Sequence, residues 1–148
     1  MSPIQILLVE DSPDDIVLTE EALGDAKIAN KLHSVMDGEA AMAFLRKEGE
    51  HAEAPRPDLV ILDLNLPKKD GREVLREIRE DPALTELPVI VLSTSGAAED
   101  IVGSYAQHVN AYVQKPVDFD EFLRVVRSME EFWLSIVKLP GRVDGLSP

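Results

Sequence analysis

Cysteine is absent from this 148-residue chain, which excludes disulfide bonds, cysteine-ligated metal centres and thiol nucleophiles. Long apolar runs are also missing. The apolar run near the N-terminus covers only residues 4–9. Such a run is too short for a membrane span or for the core of a signal peptide. The three histidines are scattered, so we assign them no catalytic role and expect no phosphohistidine on this chain. These absences predict a cytoplasmic protein with no membrane partner.

Basic residues are outnumbered, since 15 lysines and arginines face 28 aspartates and glutamates and the formal net charge is −13 at pH 7. A surface of this sign repels phosphate backbones and anionic lipids, so we expect no nucleic-acid partner. The 45% apolar fraction is sufficient for the core of one domain. The nearest approach to a basic stripe is a group of arginines on one predicted helix. They alternate with glutamates, which is typical of a helix face exposed to solvent. The residues are Arg72, Glu73, Arg76, Glu77, Arg79 and Glu80.

Short apolar runs alternate five times with amphipathic stretches along the chain. Runs of this kind that are rich in valine, isoleucine and leucine are typical of strands covered on both faces. Right-handed crossovers between such strands give a doubly wound parallel sheet. The pattern therefore predicts an α/β, flavodoxin-like (βα)5 fold with strand order 2-1-3-4-5. The predicted strands are residues 4–9, 31–36, 59–62, 89–92 and 111–114.

Helix starts follow from capping chemistry. Ser12 as N-cap, Pro13 at the first helical position and acids in the first turn predict a helix from there to about residue 27. Asp37-Gly38 turns the chain into a second helix, and Gly71 precedes a third. A fourth helix is expected over about residues 98–107, and Asp118 caps a last one.

Polar side chains follow four of the predicted strands, at the point where each strand ends. In a parallel sheet these points share the carboxyl edge, where such folds bind ligands. Carboxylates brought together there repel one another unless one is protonated or a cation lies between them. Oxygen ligands suit Mg²⁺, and a metal beside Asp63 would neutralise charge on an incoming phosphoryl group. The residues concerned are Glu10, Asp11, Asp63, Asn65, Ser93, Thr94 and Lys115.

Each of these residues also has an ordinary structural explanation when it is taken alone. Glu10 and Asp11 favour the N-terminal dipole of the first helix, Asp63 is a loop acid, Ser93 is a helix cap and Lys115 is a surface ammonium. None of these explanations accounts for the convergence of all of them at one edge. We therefore interpret Asp63 as a nucleophile that forms an acyl phosphate, with Lys115 and Ser93 binding phosphoryl oxygens.

Five motifs together resemble the receiver domain of two-component response regulators, over about residues 4–127. By this resemblance Asp63 is the phosphoacceptor. Asp11, Asp63 and the backbone carbonyl of Asn65 would hold Mg²⁺, and Glu10 would act through water. The motifs are Leu7-Leu8-Val9-Glu10-Asp11, Asp63-Leu64-Asn65-Leu66-Pro67, Asp70-Gly71, Ser93-Thr94-Ser95 and Lys115-Pro116.

The same resemblance assigns the switch. Ser93 would be the hydroxyl that moves toward the phosphate that Lys115 binds, and the rotamer of Tyr112 would follow. Thr94 belongs to the same phosphate-binding and switch group. Tyr112 has an alternative interpretation, in which it only packs on the exposed face of its strand. The resemblance implies a protein that takes its phosphoryl group from a sensor histidine kinase and signals by conformational change. It is not an enzyme in its own right, although it assists phosphotransfer and its own dephosphorylation.

Two other function classes remain open from the sequence. One is a phosphatase with an aspartyl-phosphate intermediate. Enzymes of that class resemble Asp-x-Asp at the nucleophile, whereas Asn65 stands at the second position here and cannot donate a proton as an acid does. The other is a degenerate receiver that serves only as an interaction module, against which the complete set of site residues argues.

The last predicted helix extends to about residue 138, and its apolar stripe continues beyond the expected end of the sheet. Its second half needs another cover, either its own domain or, as we favour, a twofold-related copy in a homodimer. The tail also resembles that of single-domain regulators paired with phytochrome histidine kinases, which implies a bacteriophytochrome partner. We assign 1–140 to the receiver domain and 141–148 to a flexible end. The predicted dimer contacts are Phe132, Trp133, Ile136 and Val137.

Overall fold

The computed structural model describes residues 3–25 and 29–115, together with the helical residues 120, 121, 124, 125 and 128. Within this part of the chain, strands and helices alternate, and a single 3-10 turn, Gly49–His51, follows the second helix. The strands are β1 (Ile4–Val9), β2 (Asn30–Val35), β3 (Leu59–Leu62), β4 (Val89–Ser93) and β5 (Ala111–Gln114). The helices are α1 (Pro13–Gly24), α2 (Gly38–Arg46), α3 (Gly71–Glu80) and α4 (Ala98–Ala106).

The five strands form one parallel sheet in the order β2-β1-β3-β4-β5. The predicted α/β, flavodoxin-like topology is therefore confirmed. The order reverses between β1 and β3, and this is the place where doubly wound folds open a crevice at the carboxyl ends of the strands.

Most predicted boundaries agree with the structure to within one residue, but the end of α1 is an exception. The predicted end near residue 27 is wrong, since α1 ends at Gly24 and Asp25 is its C-cap. The N–H of Asp25 donates to the carbonyls of Glu21 and Leu23, which closes the last turn. Glycine destabilises a helix interior, and α1 accordingly ends at Gly24.

Each face of the sheet is buried under helices, as the apolar strands predict. On one face, Leu7 and Val9 of β1 pack with Phe44 of α2 and Ile78 of α3. On the other face, alternate strand residues such as Leu8 pack with α1, and Val125 lies against this cluster. Because successive strand residues point to opposite faces, the polar residue that follows each strand is left at the edge of a rigid core.

Two glycines bring α2 and α3 against the loop that follows β3. A Cβ at Gly71 would lie far inside the contact distance of the Asp63 carbonyl oxygen, and one at Gly38 would meet the Lys69 carbonyl in the same way. The N–H of Gly71 donates to the carbonyl of Leu64 at 2.9 Å. The loop that carries Asp63 is therefore held between two helix starts.

The predicted dimer contacts, the end of the last helix near residue 138 and the flexible end at 141–148 all lie outside the described residues. Among the residues that are described, none of the helices is both long and apolar enough to cross a membrane.

Candidate functional site at the carboxyl end of the sheet

Three carboxylates from two adjacent strands meet at the carboxyl edge. The N–H of Glu10 donates to the Val35 carbonyl and that of Asp63 to the Val9 carbonyl, each at 3.0 Å, so both acids continue the sheet ladder. One oxygen from each of Glu10, Asp11 and Asp63 lies within 4.8 Å of the others. Glu10 and Asp63 are buried and Asp11 is exposed. Three oxygen ligands with one open side fit a hard divalent cation that retains water.

Lys115 contacts two of these three carboxylates directly. Its Nζ lies 2.6 Å from Glu10 Oε2, 2.9 Å from Asp15 Oδ2 and 3.2 Å from Asp63 Oδ2. The backbone N–H of Lys115 donates to the Ser93 carbonyl at 2.7 Å, so the residue is anchored to the end of β4. The charged residues predicted for the site, Glu10, Asp11, Asp63 and Lys115, therefore lie together in the structure, and one further carboxylate lies with them.

The added residue is Asp15, which the sequence analysis assigned only to the first turn of α1. That turn directly follows the end of β1, so the topology places it at the same edge. The position in the chain was therefore a usable signal. The contact of Asp15 with Lys115, 100 residues away, was not predictable, since it depends on which way two long side chains turn.

The protonation of this group follows from burial and pairing. Burial raises the pKa of the Glu10 carboxyl to about 7, against the opposing hydrogen bond from Lys115, and the charge of Asp63 adds to the rise. Burial by itself would lower the pKa of Lys115. Hydrogen bonds to Glu10 and Asp15 and the charge of Asp63 outweigh it, so that this pKa lies above its ordinary value. Lys115 is therefore a fixed cation, whereas the charge of Glu10 depends on pH near neutrality.

Asn65 links the Asp63 loop to the end of β4. Its N–H donates to Asp63 Oδ1 at 3.1 Å, and its amide Nδ2 lies 3.2 Å from Thr94 Oγ1 and 3.5 Å from Ser93 Oγ. The Ser93 hydroxyl is buried and accepts from the N–H of Ser95 at 3.2 Å. The predicted phosphate-binding hydroxyls are thus connected to Asp63 through Asn65, and that of Ser93 also accepts from the loop that follows β4.

Tyr112 is half-buried and packs against the core cluster on the α2 and α3 side of the sheet. Its hydroxyl donates to the Ser95 carbonyl at 2.8 Å. Ser95 therefore contacts both Ser93, through its N–H, and Tyr112, through its carbonyl. Tyr112 is thus connected to Ser93, the predicted switch residue, through the backbone of one intervening residue, Ser95.

Ser95 also contacts an ion pair that the sequence analysis did not identify. Its Oγ donates to Asp100 Oδ2 at 2.5 Å, and both Asp100 oxygens accept from the Arg72 guanidinium at 2.7 Å. The hydrogen bonds from Arg72 and Ser95 lower the pKa of Asp100 to about 2. This bidentate pair joins α3 to the first turn of α4.

Comparison with known proteins agrees with this geometry. The family profile described as the response regulator receiver domain matches residues 6–127. The chain belongs to the response regulator receiver family. The response regulator Rcp1 of Synechocystis sp. is 49% identical over 139 residues, covering 94% of this chain and 95% of its own length. FilR2 of Methanothrix harundinacea, a probable methanogenesis regulatory protein, is 39% identical, with coverages of 94% and 89%.

Solved structures of response regulators are also similar to this chain. The phosphorylated cyanobacterial phytochrome response regulator RcpA has a TM-score of 0.83 at 52% identity, covering 94% of this chain and 99% of that one. The Mn²⁺-bound form of Rcp1 has a TM-score of 0.82 at 49% identity, with coverages of 93% and 99%. The bacteriophytochrome response regulator RtBRR has a TM-score of 0.78 at 39% identity, with coverages of 94% and 85%. The chain is therefore a response regulator that matches Rcp1 and RcpA over nearly their whole length.

Proposed function

We propose that this response regulator accepts a phosphoryl group on Asp63 from the phosphohistidine of a sensor histidine kinase, in a Mg²⁺-dependent reaction. The observation that carries the proposal is the position of Asp63, which has an oxygen within 4.8 Å of two further carboxylates and lies 3.2 Å from the Lys115 ammonium. A relative at 52% identity is described as phosphorylated, and one at 49% identity is described as Mn²⁺-bound.

In the transfer, an Asp63 carboxylate oxygen bonds to phosphorus while the bond from phosphorus to the donor imidazole nitrogen breaks. The bonding pair returns to the imidazole. Asp11, Asp63 and the backbone carbonyl of Asn65 would hold Mg²⁺, with Glu10 acting through water. The metal would supply neutralisation of the phosphoryl charge. Lys115 donates to a second phosphoryl oxygen, and Ser93 with Thr94 binds a third.

The proposed response begins at Ser93. A phosphate carries about −1.5 to −2 charges at neutral pH and accepts strong hydrogen bonds, so it draws the Ser93 hydroxyl toward it. That movement takes the acceptor away from the N–H of Ser95, whose carbonyl holds Tyr112. The loop between β4 and α4 and the Tyr112 side chain then change together, which makes this face a two-state element.

The partner is proposed from the relatives. RcpA is described as a phytochrome response regulator and RtBRR as a bacteriophytochrome response regulator, so we infer a bacteriophytochrome histidine kinase as the phosphodonor. Phosphotransfer from the autophosphorylated kinase encoded beside this gene tests the pairing. Transfer should be rapid from that kinase and slow from an unrelated one.

Further properties are proposed from the sequence. The acyl phosphate is hydrolysed slowly by the domain itself, the protein works in the cytoplasm, and two copies associate through Phe132, Trp133, Ile136 and Val137. The apolar stripe of the last helix supports the dimer.

The acceptor proposal is tested by intact mass after incubation with Mg²⁺ and acetyl phosphate. The wild-type protein should gain one phosphoryl group, and Asp63→Asn should gain none. Asp14→Asn, which neutralises an exposed acid of α1, serves as the control and should be modified as the wild type is. An unmodified wild type, or an undiminished adduct on Asp63→Asn, would contradict the proposal.

A further inference from the structure

The Lys115 ammonium has all its hydrogen-bonding capacity in use. An ammonium carries three N–H donors, and Nζ has a carboxylate partner for each of them, from Glu10, Asp15 and Asp63. The donor that now reaches Asp63 can pass to a phosphoryl oxygen when Asp63 is phosphorylated, but a phosphoryl group has several strong acceptor oxygens. Lys115 can therefore give the phosphoryl group a second hydrogen bond only by leaving Glu10 or Asp15.

Asp15 is fixed in place by the first turn of α1. Its N–H donates to the capping hydroxyl of Ser12 at 3.4 Å, and its carbonyl accepts from the buried Thr19 hydroxyl at 2.8 Å. With the backbone anchored in this way, the carboxylate stands beside Lys115 and contacts none of the predicted metal ligands directly in the hydrogen bonds of the described residues. Asp15 thus acts on the site through Lys115.

The three partners of Lys115 differ in their exposure to solvent. The side chain of Glu10 is 1% exposed and that of Asp63 is 7% exposed, whereas that of Asp15 is 35% exposed. A buried carboxylate that loses its cation is left without solvation, which costs several times more than the loss of a partly hydrated pair. Of Glu10 and Asp15, Asp15 is therefore the partner that Lys115 can leave at the lower cost.

We propose that Asp15 is a positioning residue that competes with the phosphoryl group for Lys115. It holds the ammonium in the unphosphorylated site and releases it when Asp63 carries a phosphoryl group. The inference rests on the proposed acceptor function and adds a residue to it. Neutralising Asp15 frees a second Lys115 donor for the phosphoryl group, so the phosphorylated state gains stability and lasts longer.

Beryllofluoride with Mg²⁺, which mimics a phosphoryl group on a carboxylate, provides the test. Its affinity is measured by calorimetry for the wild type, Asp15→Asn, Asp15→Glu and Asp14→Asn. Asp15→Asn should bind it about two- to fivefold more tightly, the equivalent of one partly exposed ion pair. Its acyl phosphate should survive longer by a similar factor. Asp15→Glu should return toward wild-type affinity.

Asp14→Asn is the matched control, because it removes the same charge from the same helix turn and should leave the affinity unchanged. A second readout concerns the unphosphorylated protein. The Lys115 ammonium signal in ¹H–¹⁵N spectra, identified by its loss in Lys115→Arg, should shift in Asp15→Asn and not in Asp14→Asn.

Three results would overturn the inference: affinity in Asp15→Asn equal to or weaker than wild type, an equal gain in Asp14→Asn, or an unmoved Lys115 signal in Asp15→Asn. In each case a wild type that binds beryllofluoride leaves the acceptor function standing. A wild type that neither binds beryllofluoride nor takes a phosphoryl group on Asp63 would overturn the acceptor function, and the inference with it.

Discussion

Adjacent residues at the end of β1 have opposite environments, and this difference determines their chemistry. Glu10 is buried, whereas Asp11 is exposed, because successive side chains leave a strand on opposite sides. Burial raises the pKa of Glu10 to about 7, although Lys115 opposes the rise. The charge of Glu10 therefore changes near neutral pH.

This environment predicts that metal binding depends on pH. A cation at the site favours ionised Glu10. At a pH below the Glu10 pKa of about 7, cation binding must therefore displace a proton from Glu10. At a pH above that pKa, it need not. The affinity for Mg²⁺ should therefore fall by about tenfold as the pH is lowered from 8 to 6. Calorimetric titration of the unphosphorylated protein at several pH values measures it.

Glu10→Gln is the informative variant for this prediction. It should bind Mg²⁺ more weakly at pH 8, and the dependence between pH 6 and 8 should largely disappear. A dependence in the variant as steep as that of the wild type would assign the titration to another group.

At the residue scale, sequence reasoning found those site residues that directly follow strands, because strand ends in a parallel sheet must share an edge. It did not find Asp15 or the pair of Arg72 and Asp100. Both depend on side-chain directions between elements distant in the chain, 100 and 28 residues apart respectively. Periodicity and capping rules carry no information about such contacts.

Among the elements, α3 begins in direct contact with the loop that presents Asp63. Gly71 is the first residue of α3, and a side chain there would collide with the backbone of Asp63 and Leu64. The absence of a Cβ therefore sets the distance between the helix and the acceptor. Gly103 of α4 is a useful contrast, since a Cβ there would meet nothing within 4 Å.

Gly71→Ala should destabilise the fold and Gly103→Ala should not. The collision in the first variant should cost about 1–3 kcal/mol, the usual penalty for overpacking. The second should gain up to about 1 kcal/mol, because alanine is the better helix former in an open helix interior. Urea denaturation followed by circular dichroism gives both values. Equal stabilities for the two variants would contradict the close approach of α3 to the Asp63 loop.

At this scale, the sequence was sufficient for β1, β3 and β5, whose predicted and observed bounds are the same. Short apolar runs between breakers leave little choice of boundary. The end of α1 was harder, because Asp25, its C-cap, follows Gly24 within a pattern that continues to look helical. The close packing of Gly38 and Gly71 could not be predicted either, since a glycine at a helix start has several possible reasons.

The whole molecule is strongly acidic, yet its site must attract a phosphoryl group. The net charge is −13, and three carboxylates are concentrated at the proposed cation site, where Lys115 contacts two of them. Bound Mg²⁺ and Lys115 would together convert this edge into one that accepts an anion. The proposed requirement for a metal would then follow from the charge distribution of the molecule as well as from its ligands.

The predicted homodimer also belongs to this scale. Sedimentation equilibrium should give a mass near twice 16.3 kDa, and Trp133→Ala should weaken association because it removes a large apolar side chain from the predicted contact. Val17→Ala, which shortens a side chain that is exposed on α1, should leave it unchanged. A wild type that remains monomeric at tens of micromolar would refute the prediction.

The central claim is that Asp63 carries the phosphoryl group, and chemical trapping tests it most directly. Borohydride reduces an aspartyl phosphate to homoserine, with release of phosphate, and peptide mass spectrometry then identifies the modified residue. After phosphotransfer in Mg²⁺, we expect homoserine at position 63 and at no other aspartate. Homoserine at Asp11 or Asp15, or none in protein that has demonstrably taken up phosphate, would contradict the account.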